Sequence, residues 1–274
     1  TPLPQLEALK QNTEVGAGGI ELISHTGLSW QQHYETTDGL GAYYNPLSPQ
    51  VQQAVVDVIS ELSERYRHHD AFRGVAIQLS GRGYATLPGL SWGLDDQTVD
   101  QFQADTGAQV PGSGEQRFIE RARNLMGPNV SQWKQWRNGQ ITQLYSQTAA
   151  ELQSIRSDLQ LVLTTEEVFE GERQRQRLRE SLSDPAQLGE ILTEHGLDLA
   201  ELQEIEGITV LNPYQQVSST ELHQQALDIH QNFAAEQGEL VAAGANSGAM
   251  VTTVPQQLRL RSFDAKSPYG AERS

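Results

Sequence analysis

Three short runs rich in apolar residues, Gly74 to Leu79 (GVAIQL), Leu159 to Thr164 (LQLVLT) and Ile208 to Leu211 (ITVL), are separated by long stretches of helical periodicity. Runs of this kind suit strands covered by helices. Strands joined through helices pair in parallel, because a parallel connection needs a crossover of a dozen or more residues. Right-handed crossovers then leave a barrel or an open doubly wound sheet. Val75, Ile77, Leu161, Leu163, Ile208 and Val210 are expected in or against that sheet. Adding GIELI at 19–23 and a run at 250–254 gives five or six strands. A complete eightfold barrel needs eight. The expectation is therefore an α/β fold, a (β/α)8 TIM-type barrel present as a partial segment lacking the earliest strands. Residues 1–274 would form one domain, cut from a longer protein.

The intervening segments carry helix signals. Ser48 and Pro49 open one helix, with Val51, Val55, Val58, Ile59, Leu62 and Tyr66 on its apolar stripe. Asp95 or Asp96 caps a shorter one bearing Val99 and Phe102 and closed by Gly107. A brief helix spans Phe118 to Leu125. A long helix follows with Trp133, Trp136, Ile141, Leu144, Tyr145, Leu152 and Ile155 at helical spacing, and its two tryptophans are expected in the core. Residues 170–206 and 219–236 read as further helical segments.

Charge narrows the partners. The chain has 19 Lys+Arg against 35 Asp+Glu, a formal net charge of -16. Such a surface repels phosphate backbones and anionic lipid, which argues against nucleic acid and membrane surfaces. No apolar run reaches the ~18 residues of a membrane span. The absence of cysteine removes thiolate metal sites and cysteine nucleophiles. His25 with His33, His68 with His69, and His223 with His230 lack metal-ligand spacing, so no metal is expected. SGRG at 80–83 and GAGG at 16–19 lack the phosphate-loop and dinucleotide patterns, and no cofactor is expected.

The segments TPLPQLEAL, YYNPLSPQVQQAVVDVISELSERYRHH, FRGVAIQLSGRGYATLPGLSWGLDDQTVDQFQADTG and LRLRSFDAKSP resemble bacterial family 10 glycosylhydrolase-like proteins. The resemblance implies a carbohydrate-directed (β/α)8 barrel, related in pattern to the barrel β-galactosidases, and a secreted or cell-envelope location. Gly74 to Leu79 resembles the fourth barrel strand. Retaining barrel glycosidases carry an Asn-Glu acid/base at its end, where this chain has Leu79-Ser80. A serine hydroxyl cannot protonate a leaving group near neutral pH.

Other carboxylates are placed to substitute. Glu166 and Glu167 follow LVLTT at the C-terminal end of the next strand, the side where barrel sites form. Strand alternation sends one inward and the other aside. They also open the charged segment EVFEGERQRQR, which a solvated loop explains equally. Asp264, in RSFDAKSP, stands beyond the seventh strand as the opposing carboxylate or as a turn residue. Asp95 and Asp96 read as a cap with a solvated neighbour, or as acids of the site.

Trp30, Tyr34, Tyr43, Tyr44, Tyr84, Trp92 and Tyr214 lie on post-strand loops or their ends. Aromatic faces stack on sugar C–H surfaces. Trp30, Tyr84, Trp92 and Tyr214 are candidates to stack on sugar rings, with Arg82 and His25 hydrogen-bonding hydroxyls; Tyr44 before Asn-Pro also suits a turn anchor. Two functions follow: a glycoside hydrolase acting on an oligo- or polysaccharide, or a catalytically silent barrel serving as a carbohydrate-binding or envelope scaffold module.

Overall fold

A computed structural model of the protein describes residues 3–11, 14, 16–34, 44–80, 85–167, 185–198, 201–202 and 204–211. Strands β1 (Gly74–Ser80), β2 (Gln160–Glu167) and β3 (Ile208–Leu211) form one parallel sheet in the order β1-β2-β3. The helices are α1 (Pro4–Gln11), α2 (Trp30–Tyr34), α3 (Pro49–Tyr66), α4 (Asp96–Thr106), α5 (Arg117–Leu125), α6 (Val130–Ile155) and α7 (Pro185–Glu194). Each strand lies beside the next in chain order, as consecutive barrel strands do. The α/β class and the parallel pairing match the expectation from the strand runs. The run at 250–254 and the segment 219–236 lie outside the described residues.

The register runs Val75↔Leu161↔Ile208 and Ile77↔Leu163↔Val210. Alternation places these residues on one face, where α3 and α6 pack. Leu79, Leu161, Leu163 and Val210 are buried, and Val75, Ile77 and Ile208 pack against the core. Ala76 and Gln78 are exposed on the other face, and Val162, Thr164 and Thr209 are half-buried there. That second face carries no helix among the described residues. Gly74 opens β1 at φ 151°, where a Cβ would overlap Gln160 O, so the strand can only start on glycine.

Helix α6 supplies most of the cover. Trp133 and Trp136 stack at 5.4 Å and 13°, and Phe102 of α4 meets Trp133 edge-on at 5.1 Å. Both tryptophans are buried, as their spacing predicts.

Two sequence expectations are corrected. GIELI forms no strand: it makes only isolated bridges, Glu21↔Tyr44 and Ile23↔Ser29, with Ser24↔Trp92 just beyond. Left-handed Gly16, Gly19 and Gly27 bend the chain on both sides, so no run of pairs can extend. On α3 the buried residues are Val51, Gln52, Ala54, Ile59 and Ser63, while Val58, Leu62 and Tyr66 are exposed. The apolar stripe is therefore wider than the face the described residues cover. Ser48 occupies the N-cap position without a capping hydrogen bond from its side chain.

Candidate functional site at the strand ends

The connection leaving β1 is buried at residues 85–88 and 92–95 and half-buried at 89–91, so its backbone groups need partners away from water. Four side chains from the helical layer provide them. Tyr145 donates its hydroxyl to Ala85 O, and burial pushes its phenol up. His195 Nδ1 donates to Leu87 O at 2.7 Å, while Leu87 N donates back to His195 O at 3.0 Å. Arg137 Nη2 donates to Gly89 O at 2.6 Å, and Trp133 Nε1 to Leu90 O at 3.3 Å. These contacts fix the path of a loop that has no regular structure of its own.

Arg137 is the least expected of the four. Its guanidinium lies 5.4 Å from the Trp133 ring, and Nε and Nη1 have no hydrogen-bond partner among the described residues. Burial lowers its pKa to about 9, partly opposed by the Glu194 charge, so it remains a cation at neutral pH. The sequence held a signal: Arg137 is one i+4 step past Trp133 and one before Ile141, on the buried stripe.

The clamped loop delivers Trp92. Ser24↔Trp92 is a bridge, His25 N donates to Ser91 O at 3.0 Å, and Gly93 N and Leu94 N both donate to Ile23 O. Trp30 lies over Trp92 with centroids 5.0 Å apart, and His33 meets Trp92 edge-on at 5.5 Å. Trp92 is buried at 6% exposure, Trp30 is half-buried, and His25 and His33 are exposed. The structure thus brings together Trp30, Trp92 and His33, with Trp30 as the outer ring and Trp92 as its backing, while His25 joins through its backbone bond to Ser91 O. Tyr44 is fully buried, donating to Glu7 Oε1 at 2.7 Å and accepting from Leu3 N at 2.8 Å, so it serves packing.

The Asp pair is structural. Asp95 caps α4, accepting from Thr98 N at 2.9 Å and from Asn45 Nδ2 at 3.0 Å. Burial raises its carboxyl to about 6, against the opposing hydrogen bonds from Thr98 and the Arg121 charge. Asp96 is paired rather than merely solvated, with Arg117 Nε at 2.9 Å and Arg121 Nη1 at 2.6 Å.

Glu166 and Glu167 belong to β2 itself rather than to the loop after it. They end the strand beside the end of β1. The register passes from Gln78↔Thr164 to Ser80↔Glu167, with a shift between. Arg82, Tyr84, Tyr214 and Asp264 lie outside the described residues. Among those described, no group of three His, Asp or Glu residues is placed to hold a metal ion, and no helix is long and apolar enough to cross a membrane.

A family model for glycosyl hydrolase-like 10 matches residues 22–185. The chain belongs to this family. The matched region takes in β1, the clamped loop, β2 and the Glu166–Glu167 pair, and excludes Tyr214 and Asp264. Two solved structures are similar to the chain. The PgaB (BpsB) glycoside hydrolase domain from Bordetella bronchiseptica is 15% identical, with a TM-score of 0.42 over 77% of this chain and 48% of that one. The catalytic domain of a β-amylase from Paenibacillus polymyxa is 10% identical, with a TM-score of 0.48 over 98% of this chain and 70% of that one. The chain therefore spans about half the length of the first. No curated protein matches it.

Proposed function

We propose that the protein is a carbohydrate-directed module of a longer (β/α)8 barrel, and that it hydrolyses an oligo- or polysaccharide. The observation that carries this reading is the acidic end of β2, Glu166–Glu167, adjacent to the end of β1 in a glycosyl hydrolase-like chain. Barrel chemistry concentrates at that end of the strands. One carboxyl of the pair acts as acid/base and Asp264 as the opposing carboxylate, ~5 Å away for retention or ~6.5–9.5 Å for inversion. Trp30, backed by Trp92, offers a ring to a sugar face, and His25 is assigned to hydrogen-bond a hydroxyl. Tyr84, Tyr214 and Arg82 complete the proposed binding set.

A second reading is favoured by one specific observation. Leu79-Ser80 stands where the barrel β-galactosidase pattern has its Asn-Glu, which suits a silent, glycan-binding barrel. One experiment separates the two. The full-length protein is assayed for reducing-end release from soluble polysaccharides and for binding to the same polysaccharides by affinity gel electrophoresis. Turnover establishes the hydrolase, and binding without turnover establishes the silent barrel. Neither binding nor turnover removes the carbohydrate reading.

A further inference from the structure

We propose that Glu167, and not Glu166, is the carboxyl that performs the acid–base step at the end of β2. This rests on the hydrolase reading above and is carried by the strand register. From Gly74↔Gln160 to Gln78↔Thr164 the two strands advance together, one residue at a time. The next pair is Ser80↔Glu167. Thr165 and Glu166 of β2 thus stand against Leu79 alone, the two-against-one count of a β-bulge. Without the extra residue, Glu166 would be the partner of Ser80. With it, Glu167 takes that register position.

The face concerned is the one without helices among the described residues. Along β1, Ala76 and Gln78 are exposed and Leu79 between Gln78 and Ser80 is buried, so Ser80 holds the parity of the exposed positions. Glu167 is the register partner of Ser80, and so takes that parity on β2. Bulges recur next to active sites because they change which residue is presented without altering the rest of the strand. In the step assigned here, the C–O bond to the leaving sugar breaks as the Glu167 carboxyl gives its proton to the leaving oxygen. A water oxygen bonds to the anomeric carbon and its proton passes to the opposing carboxylate. In a retaining enzyme the opposing carboxylate first takes the sugar, and Glu167 then receives the water proton.

The test compares Glu167→Gln with Glu166→Gln in the full-length protein, on a polysaccharide the wild type cleaves and on a 2,4-dinitrophenyl glycoside of the same sugar. Loss of a general acid costs at least ~100-fold on a poor leaving group. It costs far less on an activated one, and it removes the basic limb of the pH–rate profile. Glu167→Gln is expected to show all three signs, with Glu166→Gln within about tenfold of wild type, a ~1.4 kcal/mol change in barrier. Large loss in Glu166→Gln with retention in Glu167→Gln overturns the register assignment and leaves the hydrolase reading standing. Equal loss in both overturns the distinction. A wild type that binds polysaccharide without cleaving it overturns the catalytic role of either glutamate, and one that does neither overturns the carbohydrate reading.

Discussion

The two faces of the sheet differ in what they meet. One presents Leu79, Leu161, Leu163 and Val210, all buried beneath α3 and α6. The other presents Ala76, Gln78, Val162, Thr164 and Thr209, none of them fully buried, with Thr209 Oγ1 donating to Gln160 Oε1 at 3.0 Å. The covered face gains stability from close packing and is intolerant of lost volume. The open face contributes little to the described core and keeps its small and polar side chains available. This division of labour is what a sheet needs to hold a shape and present a surface at once. It also predicts that substitutions one residue apart on the same strand differ sharply in effect.

The largest difference is expected for Leu163→Ala. Removing a fully buried leucine should cost about 2–5 kcal/mol, read as a fall in the urea midpoint with an unchanged slope. A cost below about 1 kcal/mol would show that the covered face is not close-packed.

The pH dependence of folding gives a second handle on the sealed side. The carboxyl of Asp95 is raised to about 6 in the folded protein, above its unfolded value. Between about pH 4 and 6 the folded state therefore holds more proton than the unfolded chain, and stability falls as pH rises through that window. The substitution Asp95→Asn keeps a capping oxygen and removes the titration. Urea midpoints measured across that window and up to neutrality should lose this component of their slope in Asp95→Asn; an unchanged slope would place the titration elsewhere.

Ser80→Ala should leave any glycosidase activity within about tenfold, a barrier change of ~1.4 kcal/mol, because a hydroxyl supplies no proton near neutrality. A loss beyond ~100-fold would restore the end of β1 as the chemical centre. The smallest effect belongs to Gln78→Ala, which should shift stability by no more than about 0.5 kcal/mol, as exposed positions do. A larger loss would mean the open face is packed after all.

Much of the fold was legible because the three strand runs are short, apolar and set apart by long helical stretches. Their starts and ends agree closely with the observed strands, except that β2 runs on through Glu166 and Glu167. GIELI misled because its composition suits a strand while its flanking glycines deny it a partner, and partners are tertiary facts. The stripe of α3 was legible as a pattern, but which part of it meets α6 was not. Asp95 could be named as a candidate cap, since Thr98 N lies where a capping side chain reaches. The clamp was not legible. Tyr145, Arg137 and His195 contact carbonyls 60, 48 and 108 residues away in sequence. The choice between Glu166 and Glu167 also escaped the sequence, since alternation fixes parity only until an extra residue is inserted.

The four tryptophans of the chain fall into two pairs with different exposure. Trp133 and Trp136 are stacked and sealed; Trp30 and Trp92 lie 5.0 Å apart at 45°, with Trp30 partly open. Indoles this close couple their electronic transitions, so each pair carries its own near-ultraviolet circular dichroism. The molecule thus contains two optical probes made of the same chromophore, one dependent on core packing and one within reach of solvent quenchers. Replacing Trp30 with phenylalanine would silence the outer coupling and leave the inner as a clean signal of the folded state.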